Sequence, residues 1–177
     1  MVKKLLKFFG FFGFFLLALM AFMPKESFYF LLEEQLKVYG IVVSNESLDS
    51  GLFSLNIENL EISIKGVESG IASSSSITIL GVYNSVAFRD VTLSSLVLSY
   101  APQGVQTLHL SYSLLDPLHL SAEAIGDFGE AKGAFSLLDK SFEAKIKPSE
   151  LMQMQYAKTL RMLSKDEDGE YKYAKTF

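Results

Sequence analysis

The chain has 177 residues, 16 Lys and Arg against 20 Asp and Glu for a net charge of −4, and no cysteine. The missing cysteines exclude disulfides, cysteine-type zinc clusters and thiol nucleophiles. The acidic balance, with 13 of the 16 basic residues and all 20 acidic ones in residues 24–177, a net −7 there, argues against nucleic acid as a partner and leaves no polybasic patch for anionic headgroups.

Leu5 to Met23 reads LLKFFGFFGFFLLALMAFM, with Lys7 its single charge. At 1.5 Å per residue this is about 28 Å of helix, close to the ~30 Å hydrocarbon core of a bilayer. Lys3, Lys4 and Lys7 flank its start, whereas Lys25 and Glu26 beyond its end cancel. This asymmetry predicts a cytoplasmic N-terminus and the remainder of the chain across the membrane. A cleaved signal peptide is the competing reading, but the apolar run exceeds the usual core, and Leu19-Met20-Ala21 is a poor small-x-small site. Residues 1–23 are therefore read as a single-pass signal-anchor, holding a body of one domain's size across the membrane.

Residues 24–40, PKESFYFLLEEQLKVYG, predict a short amphipathic helix with Pro24 in its first turn and Gly40 just past its end. Phe28, Leu31, Leu32 and Leu36 fall on one face, and Glu33, Glu34 and Lys37 largely on the other. Its basic residues are few for a helix lying in a membrane interface, so it is read as a cap on the domain's open end.

From Ile41 to Lys147 the apolar period becomes two, in seven to nine runs separated by breakers at 66–70, 81–85, 101–104, 116–117, 126–129 and 139–140. This spacing is the signature of an antiparallel meander, with one apolar and one wet face. The phase slips at Glu58-Asn59, which predicts a turn or bulge there, and again at Ser94-Ser95 between the run of Val91 and Leu93 and that of Leu96, Leu98 and Tyr100. A helix is predicted over 149–164, started by Pro148 or Ser149 with a stripe of Met152, Tyr156, Leu160 and Leu163. EYKYAKTF at the end alternates as a last strand. The expected domain is thus 41–177, mainly β, a curved antiparallel roll or half-barrel that includes the helix 149–164 and the last strand, with the amphipathic helix 24–40 before it.

One apolar face on some 100 residues of strand has to be covered. Two short helices do not suffice, so the sheet curls over a filled interior or leaves an apolar trough able to seat an acyl chain. The residues expected to face such a groove are Leu60, Ile62, Ile64, Leu96, Leu98, Tyr100, Leu108, Leu110, Tyr112, Leu118 and Leu120. The medium-to-large size of many interior positions favours filling.

No acid–base or nucleophile–base pair stands out, and no catalytic, cofactor-binding or metal-ligating residue is expected. His109 and His119 are out of phase with their apolar neighbours and belong on the wet face, where a hairpin centred near residue 114 would make them cross-strand neighbours with Glu123 close by. Two exposed histidines without a third ligand are read as a solvated face. Ser73 to Ser76 lack a nucleophile elbow, and Asp166-Glu167-Asp168-Gly169 lacks the alternating acids of a calcium loop. Gly126, Gly129 and Gly133 precede no helix, so they mark a bend or close backbone approach.

The ordered layout resembles the N component of bacterial type II secretion systems and, more broadly, AsmA-like membrane-anchored β proteins. The matching features are the Lys-flanked anchor, Leu31-Leu32-Glu33-Glu34-Gln35-Leu36 with Tyr39-Gly40-Ile41, Asn59-Leu60, Ser95-Leu96, Pro117-Leu118, Gly126 to Gly129, Pro148 to Met152, and Lys165 to Tyr173. The resemblance implies a non-enzymatic inner-membrane protein with a periplasmic β domain, an accessory of a secretion assembly with secretion-system or envelope-transport partners. Its AsmA-like side, together with a likeness in layout to the small anchored component of lipopolysaccharide transport, implies the alternative: a carrier of phospholipid or lipopolysaccharide.

Overall fold

The computed structural model describes residues 2–95, 97–166 and 168–177. Helix α1 (Val2–Ala21) contains the apolar stretch Lys3–Ala21, long and apolar enough to cross a membrane, and none of it is fully buried in the protein. Helix α2 (Lys25–Val38) comes after a three-residue bend. Lys25 turns its ammonium back onto the Ala21 carbonyl at 3.3 Å and the Met23 carbonyl at 3.5 Å, placing a cation on the unpaired end of α1.

The rest is one open antiparallel sheet of eleven strands. They are β1 (Ile41–Ser44), β2 (Ser47–Ser50), β3 (Ser54–Ile64), β4 (Val67–Ile79), β5 (Tyr83–Leu93), β6 (Gly104–Ser113), β7 (Asp116–Gly126), β8 (Gly129–Ser136), β9 (Ser141–Pro148), β10 (Ser164–Lys165) and β11 (Tyr171–Thr176). Strands β3 to β9 form an unbroken meander. β1 and β2 share the outer edge of β3, and β11 returns to pair with β9, with β10 beyond it. The two ends of the sheet do not meet.

Register explains the apolar face. One row of facing residues runs Leu55, Ile77, Val86, Leu110 across β3 to β6 and continues as Ala122, Gly133, Ala144 and Tyr173. Residues facing one another across an antiparallel pair lie on the same side, so this face is continuous from one edge to the other. The core proper sits at its β3–β4 end, where Leu55, Ile57, Leu60 and Ala72 are buried beneath Tyr29 of α2.

The phase slip at Asn59 is a feature of one continuous strand, not a turn. Asn59 has φ 56 and Asp90 φ 50, and they flank Ser73 of β4 at the same height. Past each left-handed residue the strand's two faces are exchanged, so Ile57 and Leu60, three apart, are both buried, and Phe88 and Val91 both pack on the same core. Asn and Asp tolerate this conformation better than other side chains. Aligned irregularities of this kind raise the local twist and bend a sheet.

Four expectations need correction. The face α2 turns to the sheet is Lys25, Tyr29, Glu33 and Leu36, while Phe28, Leu31 and Leu32 are exposed. The helix is rotated by about 75° from the apolar stripe, at 100° per residue. One aromatic ring fills the narrow strip over Leu55 and Leu60, and the flanking ions are satisfied locally, Glu33 by Lys37 at 2.7 Å. The second helix is shorter than 149–164: α3 (Glu150–Gln155) breaks at Tyr156, α4 (Ala157–Leu160) ends four residues early, and Ser164-Lys165 instead joins the sheet edge. Ser149 is its N-cap, accepting from the Met152 N–H at 3.1 Å, and Met152 and Leu160 are buried as the stripe requires. β5 ends at Leu93, so no strand runs through Leu98 and Tyr100: Val97–Ser99 is a 3-10 turn in the loop to β6. Finally, Val67 to Gly70, expected as a break, begins β4.

Candidate functional site: an apolar trough on the sheet

Along the apolar face the side chains shrink. β3 to β6 present mostly Leu, Ile, Val and Phe, whereas the middle of β7 to β9 presents Ala122, Ala124, Ala131, Gly133 and Ala144. The floor falls away on that side, and a trough of about 380 Å³ opens above it. Its apolar walls come from Ile77 and Ile79 of β4, Val86 of β5, Leu110 and Tyr112 of β6, Leu120 of β7, and Phe135 and Phe142 of β8 and β9.

Those walls also report the curvature. On a flat sheet β4 and β9 would stand about 24 Å apart, five strands at ~4.8 Å each. Both line one cavity, so the sheet folds around it. The filled interior favoured from residue size is not what forms.

At Gly133 a Cβ would stand 3.2 Å from the Phe142 ring, so the absence of a side chain there keeps the floor low beside that wall. Thr78, Ser85, Ser111 and Ser121 border the trough, but by register they belong to the opposite face and lend it main chain. Asn84 is a polar side chain on the apolar face, opposite Tyr112 in the row beside that of Leu110. Its Nδ2 donates to the Gly81 carbonyl at 3.3 Å, and its buried Oδ1 has no partner among the described residues.

Of the residues expected to face a groove, Leu110, Tyr112 and Leu120 line the trough. Leu60 and Ile62 lie on the same face, in or against the core under α2, and Leu108 sits one row along. Ile64 and Leu118 stand at strand ends and are exposed. Leu98 and Tyr100 are in the loop after β5, away from the trough, and Leu96 lies outside the described residues. Sequence reasoning missed the β8 and β9 walls, Phe135 and Phe142, and the small residues of the floor. The signal was present as Gly129, Ala131 and Gly133 at every second position of β8, with Ala144 between Phe142 and Ile146 in β9.

The wet face carries both histidines. His109 pairs with Glu123, not with His119, because the β6–β7 register centres the hairpin nearer residue 116 than 114. His119 sits opposite Ser136, with its Nδ1 2.7 Å from Asp116 Oδ1. Among the described residues no three His, Cys, Asp or Glu side chains converge as metal ligands would. Glu123 reaches Lys132 at 3.4 Å, an exposed pair of little energetic weight. Asp166 pairs with Lys172, closing the turn between β10 and β11; Glu167 lies outside the described residues. Gly129 has φ 110, and a side chain there would run into the Lys147 carbonyl, the close backbone approach expected of this glycine.

Comparison with protein-family models, curated proteins and solved structures finds no match.

Proposed function

We propose that the protein is a membrane-anchored lipid-binding protein, which seats an acyl chain in the trough of its curved sheet. The observation that carries this reading is the trough itself: about 380 Å³, open to solvent and walled by aliphatic and aromatic side chains. Volumes of this order are typical of small-molecule sites. A chain of methylenes gains about 0.8 kcal/mol for each group removed from water, without any need for hydrogen-bonding partners. The membrane-spanning length of α1 supplies the source of ligand, since it would hold the sheet beside a bilayer. Bacterial inner-membrane residence, with the sheet on the periplasmic side, accords with the lysines that precede the span.

The test is photocrosslinking of the full chain in nanodiscs that contain a phospholipid with a diazirine in its acyl chain. Adducts on the trough walls, at Leu110, Leu120, Phe135 and Phe142, are expected beside the unavoidable adducts on α1. Adducts confined to α1 and the hairpin turns would remove the lipid reading.

A part in a secretion assembly is the second reading, favoured by one observation. β10 covers β11 only at Tyr171 and Lys172, leaving Tyr173 to Thr176 as an exposed strand edge able to accept a partner's strand. Crosslinking in native membranes that captured secretion-system proteins through β11 would support it; crosslinks to lipid alone would count against it.

A further inference from the structure

We infer that one end of the sheet is built to rest in the bilayer surface, with a row of hairpin tips dipping into the headgroup and upper acyl region. The inference rests on α1 spanning the membrane, but not on what the trough holds.

The turns joining β2–β3, β4–β5, β6–β7 and β8–β9 all lie at the same end of the sheet, as does the chain's last residue. Hairpin turns ordinarily carry Gly, Asn and Asp. These carry Leu52, Val82, Leu114, Leu115 and Leu138, with Phe177 beside them, all exposed, Leu115 to 93 %. No charged residue lies in 51–53, 80–82 or 114–115, and the β8–β9 turn, 137–140, places Asp139 and Lys140 after its two leucines. The turns at the other end include Lys65, Asp127, Asp166 and Asp168. Exposed large apolar side chains gathered at one end of a sheet mark an interaction site.

The anchor says which surface covers it. Met20, in the last turn of α1, lies against Gly81, where an added Cβ would collide with the methionine's methyl group. Glu26 accepts from Ser50, next to the β2–β3 turn, at 2.7 Å. The tips are therefore at the height where α1 leaves the hydrocarbon. Neighbouring tips are two strands apart, about 10 Å, so the row follows the curved end of the sheet over some 30 Å of arc. With few cations among the tips, the occupant is the apolar-accessible surface of a bilayer in general, not an anionic lipid in particular. The geometry also brings the Tyr112 and Phe135 end of the trough, adjacent to these turns, to the edge of the acyl region.

The absence of cysteine allows a direct test in the full chain. Leu115→Cys, Leu138→Cys and Tyr100→Cys are each labelled with an environment-sensitive fluorophore and reconstituted in phosphatidylcholine vesicles, with or without nitroxide-bearing phosphatidylcholine. Tyr100 is exposed and aromatic but sits at the opposite end, so it controls for apolarity without height. The labels at 115 and 138 should be blue-shifted and lose most of their emission to the nitroxide lipid, while the label at 100 keeps its own. Equal quenching at all three positions, or at none, would overturn the inference. So would tip labels shielded from aqueous iodide but untouched by nitroxide lipid, the signature of a second copy over the tips. Each replaced side chain is exposed, so a failure to fold at one tip position leaves the other to decide.

Discussion

Ala122 is the position at which lipid seating can be removed with least damage to the protein. It is a floor residue of the trough, flanked in register by Leu110 and Gly133. In Ala122→Phe the ring stands in open space instead of a packed core, so overpacking costs are small. The ring excludes about three methylenes of a bound chain, at ~0.8 kcal/mol each, so about 2.4 kcal/mol or roughly 60-fold in affinity. The assay is titration of full-length protein in nanodiscs with a fluorescent fatty acid, with thermal unfolding measured in parallel. An affinity within about threefold of the parent, with the melting temperature held, would refute the assignment of the trough as the binding site.

Three further outcomes are expected from the fold. Burial, and then the carboxylates of Glu46 and Glu33, push the Tyr29 hydroxyl above the ordinary tyrosine range. A raised folded value means its stabilisation is complete below about pH 10 and is lost as pH climbs above it; Tyr29→Phe should flatten the stability–pH curve there by about 1 kcal/mol per pH unit. Ser149→Ala removes the cap that receives the Met152 N–H, and should cost about 1 kcal/mol and speed amide exchange in α3. Asn59→Val forces a β-branched residue to φ 56, and should cost about 1–2 kcal/mol by denaturant titration, whereas Asn59→Gly should be tolerated.

How far the sequence reached is instructive at particular residues. Period-two alternation located most of the strands because each has one dry and one wet side, and even the exchange of faces at Asn59 was visible as a slip between Ile57 and Leu60. Alternation carries no information on how far a strand continues, so the apolar spacing of Leu98 and Tyr100 passed for a strand where the chain turns. Helical spacing likewise named the apolar stripe of α2 but not the face in use. That choice belongs to the shape of the sheet edge, which accepts Tyr29 and leaves Phe28 and Leu31 outside. The openness of the trough depends on bringing Leu110 opposite Ala122, and Ala122 opposite Gly133, a matter of register that no local pattern contains.

The most direct measurement is native mass spectrometry of the full-length protein released from detergent micelles, parent beside Ala122→Phe. One retained acyl lipid per parent chain, absent from the variant, is the predicted result. A parent that flies free of lipid, or a lipid retained equally by both, would contradict the account.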